Sequence, residues 1–345
     1  MLSVRPSYRI FAFKQALWAL FCAVPGCAFS QSPAPDSTSI VSYSDKLIIK
    51  LNSSTEADTY LYTDLQTGDR LDIRPNTELR LFLSVDYEFI GASLAFASGW
   101  MNSETDRRLK GKSSLSDYRF HFFLGRWVQA IHYRHVKGYY VQNTGDFAPG
   151  WRKGTDPYIV FPGLGYNTYG MSTAYVFNDR FSYRNVLYQT EWQKQSAGSF
   201  IPRLSYDYNR FSLVDEDIVS IEHNINLRVS PSYYYTWVVQ KHWFLTATMA
   251  PSLGVRFTTS RETQAGAFSK EKDTYVTRFL EGGLQLGYSS ERILFGANLN
   301  AYVNWLKKKN KESVENDQYY GVLYFGYRFD PPAFLRRTMA RLQGK

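Results

Sequence analysis

The stretch Ile293–Trp305 reads ILFGANLNAYVNW. Its odd positions, Ile293, Phe295, Ala297, Leu299, Ala301, Val303 and Trp305, are all apolar, whereas Leu294, Gly296, Asn298, Asn300, Tyr302 and Asn304 grow polar toward the C-terminal end. Successive side chains of a strand point to opposite faces, so this is one ribbon with an oily side and a wet side. A soluble barrel turns the oily side inward; a membrane barrel turns it outward.

The same alternation recurs in pairs separated by short turns. Leu79, Leu81, Leu83, Val85 and Tyr87 share a face, and Ile90, Ala92, Leu94 and Phe96 resume it two or three residues later. Leu115–Leu124 turns into Trp127–Tyr140, Tyr166–Asn178 into Phe181–Trp192, Asn226–Val238 into His242–Val255, and Thr274–Tyr288 into the opening stretch. Gln318–Phe329 closes the series. The links between these hairpins are long and polar: Trp100–Ser114, Gln142–Gly165, Thr258–Asp273 and Trp305–Asp317. Short turns at one end and long loops at the other are the mark of an outer-membrane barrel, with the turns periplasmic and the loops outside.

Five hairpins, the final strand and one strand within Lys46–Thr63 make twelve. Phe200–Phe211 reads as one strand more, an odd total, whereas single-chain bacterial barrels use even counts. Ser212–Ile225 must then hide a return segment. The expectation is an all-β, transmembrane, antiparallel up-and-down barrel of about 12 strands, with 14 as the alternative.

Three features turn the oily face outward. The strands run roughly 10–14 residues, which suits tilted membrane strands. Trp127, Trp192, Trp237, Trp243, Trp305, Tyr87 and Tyr288 gather near strand ends, where an interfacial girdle would lie. The opposite faces carry Glu78, Arg80, Asp117, Arg119, Arg184, Arg228, Glu281 and Arg328. A soluble core makes such charges costly; an ion-paired, hydrated lumen tolerates them. These eight, with His121, are the candidate lumenal binding residues. Lys307, Lys308, Lys309 and Lys311 are outer-loop candidates for an anionic partner, with a solvated charge run as the blander reading.

The remaining composition fits export. Arg5, Arg9 and Lys14 precede an apolar core at Ala16–Val24, and Ala28-Phe29-Ser30 offers small residues for cleavage, so residues 1–30 read as a signal peptide. Both cysteines, Cys22 and Cys27, fall inside it, which excludes disulfides, thiolate metal sites and cysteine nucleophiles from the remainder. Its removal takes three basic residues and no acids, leaving a formal charge of 9 − 3 = +6. The basic residues are spread out, so nucleic acid is not an expected partner. Residues 31–45 read as a flexible lead-in, 46–329 as the barrel, and 330–345 as a basic tail begun by Pro331 and Pro332, a frayed end rather than a helix on lipid.

Several segments carry a family resemblance: KGKSSLSDYRF (Lys110–Phe120), VKGYYVQN (Val136–Asn143), YVFNDRFSYRNVLYQTEWQKQSAGSF (Tyr175–Phe200) and YYYTWVVQKHWFLT (Tyr233–Thr246). They resemble an uncharacterised family of Gram-negative outer-membrane β-barrel proteins, known as a domain of unknown function. The resemblance implies a barrel and an outer-membrane address, and no activity. Gly321–Phe329 ends in an aromatic, resembling the terminal strand read by the barrel-assembly machinery.

Catalysis needs a nucleophile, a histidine and an orienting partner together. His132 and His135 are three apart on a strand and face opposite ways, His242 abuts a turn, and Ser116 has the wrong parity for His121. No phosphate-cradling glycine loop and no HExxH motif occurs. The expected role is therefore non-catalytic, structural, binding or narrow transport, with a charged and largely occluded lumen. No cofactor or metal is expected, and the partners are outer-membrane lipid and lipopolysaccharide. The alternative is a lipid-modifying hydrolase or acyltransferase with a site at the outer rim, around His121 or the Ser196–Ser199 (SAGS) turn.

Overall fold

A computed structural model describes residues 39–56, 59–64, 68–77, 79–97, 103–214, 218–264, 266–305, 312–315 and 318–342. In chain order the strands are β1 (Ile40–Ser42), β2 (Leu47–Ser54), β3 (Tyr60–Asp64), β4 (Arg70–Arg74), β5 (Arg80–Tyr87), β6 (Ile90–Ala97), β7 (Ser114–Leu124), β8 (Trp127–Val141) and β9 (Val160–Tyr175). There follow β10 (Glu191–Gln193), β11 (Ala197–Val214), β12 (Ile218–Val239), β13 (Trp243–Gln264), β14 (Ala267–Ser289), β15 (Ile293–Trp305), β16 (Glu312–Glu315) and β17 (Gln318–Phe329). Helices are α1 (Glu104–Lys110), α2 (Tyr183–Leu187) and α3 (Ala333–Leu342).

Twelve strands close a ring in the order β2-β5-β6-β7-β8-β9-β11-β12-β13-β14-β15-β17, every pair antiparallel, with β17 returning to β2. Two small additions are not members of the ring: a β16-β3-β4 ribbon that continues from the loop end of β8, and a two-stranded β1-β10 sheet. The stagger of the ring follows from its register. A walk through paired residues runs Tyr288, Phe295, Phe325, Leu51, Leu83, Leu94, Tyr118, Tyr133, Tyr169, Tyr208, Ile225, Phe257 and Thr274, re-entering β14 an offset of 288 − 274 = 14 residues from its start. For 12 strands about 4.8 Å apart, rising roughly 3.3 Å per residue, that shear tilts them by about 39°.

The two faces are inverted relative to a soluble protein. Leu299 is 66% exposed and Leu323 64%, whereas Arg80 and Arg328, facing the lumen, are 0% exposed. Hydrocarbon therefore covers the oily face. The turn end carries an aromatic belt, with Trp127 4.8 Å from Tyr175 and Trp243 5.3 Å from Tyr288 between ring centroids.

Four sequence expectations need correction. Phe181–Trp192 is not a strand. Residues 176–196 leave the turn end of β9, form α2 and β10, and re-enter at β11, so the Ser196–Ser199 turn lies at the turn end rather than the outer rim. The odd strand count and the puzzle at Ser212–Ile225 both came from that misreading, because β12 simply begins at Ile218. Thr258–Asp273 is not a loop, since β13 and β14 continue as a paired ribbon to Gln264 and Ala267. The lead-in contains β1, and the tail contains α3, whose Met339 is 6% exposed. The signal-peptide segment, residues 1–30, lies outside the described residues.

Candidate functional site: the lumen

Three tiers of polar contacts fill the lumen. The lowest is built on residues 176–196. Ser182 caps α2, its Oγ accepting from Asn185 N at 2.8 Å and donating to Glu191 Oε2 at 2.7 Å, while Ser182 N donates to the Gln193 side chain. Phe181, Tyr183 and Val186 are buried against the lumenal Phe123, Val128, Ile201 and Tyr234. An inward-folded segment needs apolar residues as a strand does, and so it imitates one in sequence.

Cations from the wall hold this segment. Lys50 Nζ donates to Tyr188 O at 2.5 Å and to Gln189 Oε1 at 3.1 Å. Arg328 Nη2 donates to Gln189 O at 2.7 Å, and its Nη1 to Ser290 O. Gln189 adopts φ 57°, a left-handed conformation that this clamp maintains. Arg328 thus caps backbone carbonyls rather than pairing with an acid, and it stacks 4.1 Å over Tyr43. Asp86 bridges Lys50 (3.2 Å) and His121 (3.0 Å), and the His121 ring lies flat against Tyr188. Burial pushes the Tyr188 phenol well above its ordinary range and raises the Glu191 carboxyl, the Ser182 bond and Arg184 opposing the latter.

The middle tier joins the walls. Arg228 donates to Asp207 at 2.8 Å and to the Tyr302 hydroxyl at 2.9 Å, and Arg203 pairs with Glu281. His132 stands 4.0 Å from Asp207. In the upper tier Glu56, just beyond β2, lies among three arginines: Arg134 at 2.8 Å, Arg119 at 3.4 Å and Arg80 at 3.9 Å. Asp117 accepts from Arg119 and from Arg134 Nε at 2.9 Å. Burial alone would raise the Glu56 carboxyl; the three arginines outweigh it and hold it at about 2.

Most of the expected lumenal residues meet here. Arg80, Asp117 and Arg119 join the upper tier, Arg228 and Glu281 the middle one, and His121 and Arg328 the lower one. His121 is 3% exposed and deep in the lumen, which corrects its placement at the outer rim. Arg184 belongs to α2 and not to a wall strand; its guanidinium sits 4.2 Å from the Phe123 ring centroid and 3.6 Å from Glu191. Trp192 lies in the closing segment and not on a wall strand; its indole donates to Lys241 O of the β12–β13 turn and stacks on His242. Glu78, Lys307, Lys308, Lys309 and Lys311 lie outside the described residues.

Sequence reasoning missed Glu56, Lys50, Arg134, Arg203 and Asp207 as site residues. Parity alone places Arg134 across from Asp117 and Lys50 beside Asp86, so four of the five were recoverable from alternation. Glu56 lies in no strand, and nothing local marks it. Among the described residues no histidine hydrogen-bonds to a serine or threonine hydroxyl: His135 meets Asn167, His223 meets Tyr208, and His242 meets the Ser289 carbonyl.

Solved structures similar to this chain include the outer membrane protease OmpT of Escherichia coli, 8% identical over 87% of this chain and 96% of that one, with a TM-score of 0.36. The translocator domain of the autotransporter NalP from Neisseria meningitidis is 6% identical over 94% of this chain and 100% of that one, with a TM-score of 0.33. Neisserial surface protein A is 8% identical over 83% and 97%, with a TM-score of 0.23. No curated protein matches the sequence. A family model described as a domain of unknown function matches residues 34–329, and the chain belongs to that family, DUF4421.

Proposed function

We propose that this chain is exported by a cleaved signal peptide to the outer membrane of a Gram-negative cell. There it serves as a non-catalytic structural, binding or narrow transport barrel, closed to bulk solutes by its own residues. One observation carries the reading: residues 176–196 fold into the turn end and are clamped there by Lys50 and Arg328. A 12-strand bore lies between side-chain-filled small barrels and open porins, so such a segment decides whether it conducts. Contacts between non-adjacent strands, such as Arg203–Glu281 and Arg228–Tyr302, obstruct what remains.

The test is ion conductance of the refolded full chain in planar bilayers. A closed baseline is expected, and Lys50→Met with Arg328→Met should raise it. Large steady currents from the parent protein would overturn the closed-lumen reading.

A further inference from the structure

The outer wall carries a groove of about 500 Å³ across β7, β8, β9 and β11, within the roughly 300–1,000 Å³ range of small-molecule sites. Tyr118, Tyr133, Tyr169 and Tyr208 form its upper row, one per strand, and Phe120 and Met171 lie below. The row is continuous: Tyr118 and Tyr133 stack at 6.0 Å and 8°, Tyr133 and Tyr169 lie 4.9 Å apart, and Tyr169 and Tyr208 6.1 Å. Each strand step of the ring climbs about 3 Å, from the spacing and tilt above. Seven steps set Tyr133 about 21 Å above Tyr288, at the loop-side edge of an apolar band roughly 25 Å tall.

Directly above this row the wall turns basic. Lys137 on β8 and Arg210 on β11 are exposed, and among the described residues neither has an acidic side chain within ion-pair distance. Between them β9 presents Gly165, paired with both Lys137 and Ser212, and Asn167, which bonds His135 at 2.6 Å. The wall there is thus a low saddle between two free cations whose backbone positions lie about 12 Å apart, two strand spacings across and two residues along. The outward positions of these four strands carry no Asp or Glu.

We propose that this groove and saddle bind one phosphorylated glycolipid of the loop-side leaflet, the lipid A of lipopolysaccharide. Its acyl chains lie along the tyrosine row and its phosphate rests between Lys137 and Arg210. The site rests on the membrane reading above and adds a ligand to it. An apolar groove alone takes any acyl chain; the paired cations at headgroup height select the anionic amphiphile.

The full chain is refolded into phosphatidylethanolamine vesicles containing lipid A, or lipid A stripped of its phosphates, then extracted in mild detergent and weighed by native mass spectrometry. The parent protein is expected to retain one phosphorylated molecule and to lose the dephosphorylated one. Lys137→Glu with Arg210→Glu should lower retention at least about tenfold. Met171→Trp, which fills the groove and leaves the charges, should lower it too. Heat-modifiable gel migration reports barrel closure for every variant. Equal retention by parent and variants, or equal retention of both lipids, overturns the site while leaving the barrel intact. A parent chain that never becomes heat-modifiable in vesicles overturns the membrane reading and the site together.

Discussion

Glu56 accepts a hydrogen bond from Arg134 at 2.8 Å, tying the chain that leaves β2 to the wall at β8, 78 residues onward. The pair sits in a lumen where water competes poorly, and Arg119 and Arg80 add to the field on Glu56. Glu56→Gln leaves three arginines with one fewer anion, and we expect it to destabilise the barrel by about 3 kcal/mol. A urea midpoint equal to that of the parent would sink the claim that this residue fastens the upper tier.

The same carboxylate has a pH signature. Its folded value is depressed from 4.5 to about 2, so its stabilisation is complete above pH 4.5 and is lost as pH falls toward 2. The melting-temperature gap between parent and Glu56→Gln should hold constant from pH 8 to 5, then close between pH 4.5 and 2. A gap that narrows above pH 5, or that persists at pH 2, contradicts the assignment.

Residues 176–196 should resist proteolysis for as long as their clamp holds. Arg184 lies in α2 between Tyr183 and Asn185, which are 5% and 1% exposed, so trypsin reaches it only after the segment leaves the lumen. Lys50→Met with Arg328→Met removes the donors to Tyr188 and Gln189, and cleavage after Arg184 should accelerate at least tenfold, from about 1.4 kcal/mol of lost clamping. Unchanged cleavage would show that the apolar contacts of Phe181 and Val186 hold the segment alone.

What was legible in the sequence follows from this arrangement. Ile293–Trp305 declared its two faces because a membrane strand meets hydrocarbon on one side along its whole length, and that period survives averaging. Phe181–Trp192 misled for the same reason: Phe181, Tyr183 and Val186 are buried inside the barrel, and burial writes apolar residues whichever side supplies it. The odd strand total was the available signal. Glu56 gave none, because its position depends on three arginines drawn from β5, β7 and β8.

Inverted faces make opposite demands on neighbouring residues of β15. Leu299, 66% exposed on the outer wall and four residues above the Phe295 belt, should cost about 2–4 kcal/mol when replaced by arginine. Asn300, its lumenal neighbour, should accept serine for less than about 1 kcal/mol. Urea titrations of vesicle-refolded protein compare the two directly. A tolerated Leu299→Arg would mean that protein or water, not hydrocarbon, covers that face.

The β13-β14 ribbon separates what closes the barrel from what extends it. Phe257 stands eleven strand steps, about 33 Å, above Tyr288, so the residues beyond it clear an apolar band of roughly 25 Å. Arg261, Glu262 and the paired stretch from Phe268 to Lys272 are exposed, and they bury nothing against neighbouring strands. Deleting 261–270 and joining Ser260 to Glu271 through an Asn-Gly turn preserves their pairing and supplies the backbone twist a two-residue hairpin requires. Heat-modifiable migration should persist, with the urea midpoint displaced by no more than about 0.5 kcal/mol. Collapse of the folded band would make the ribbon part of ring closure, carrying register information that the membrane-embedded pairs lack.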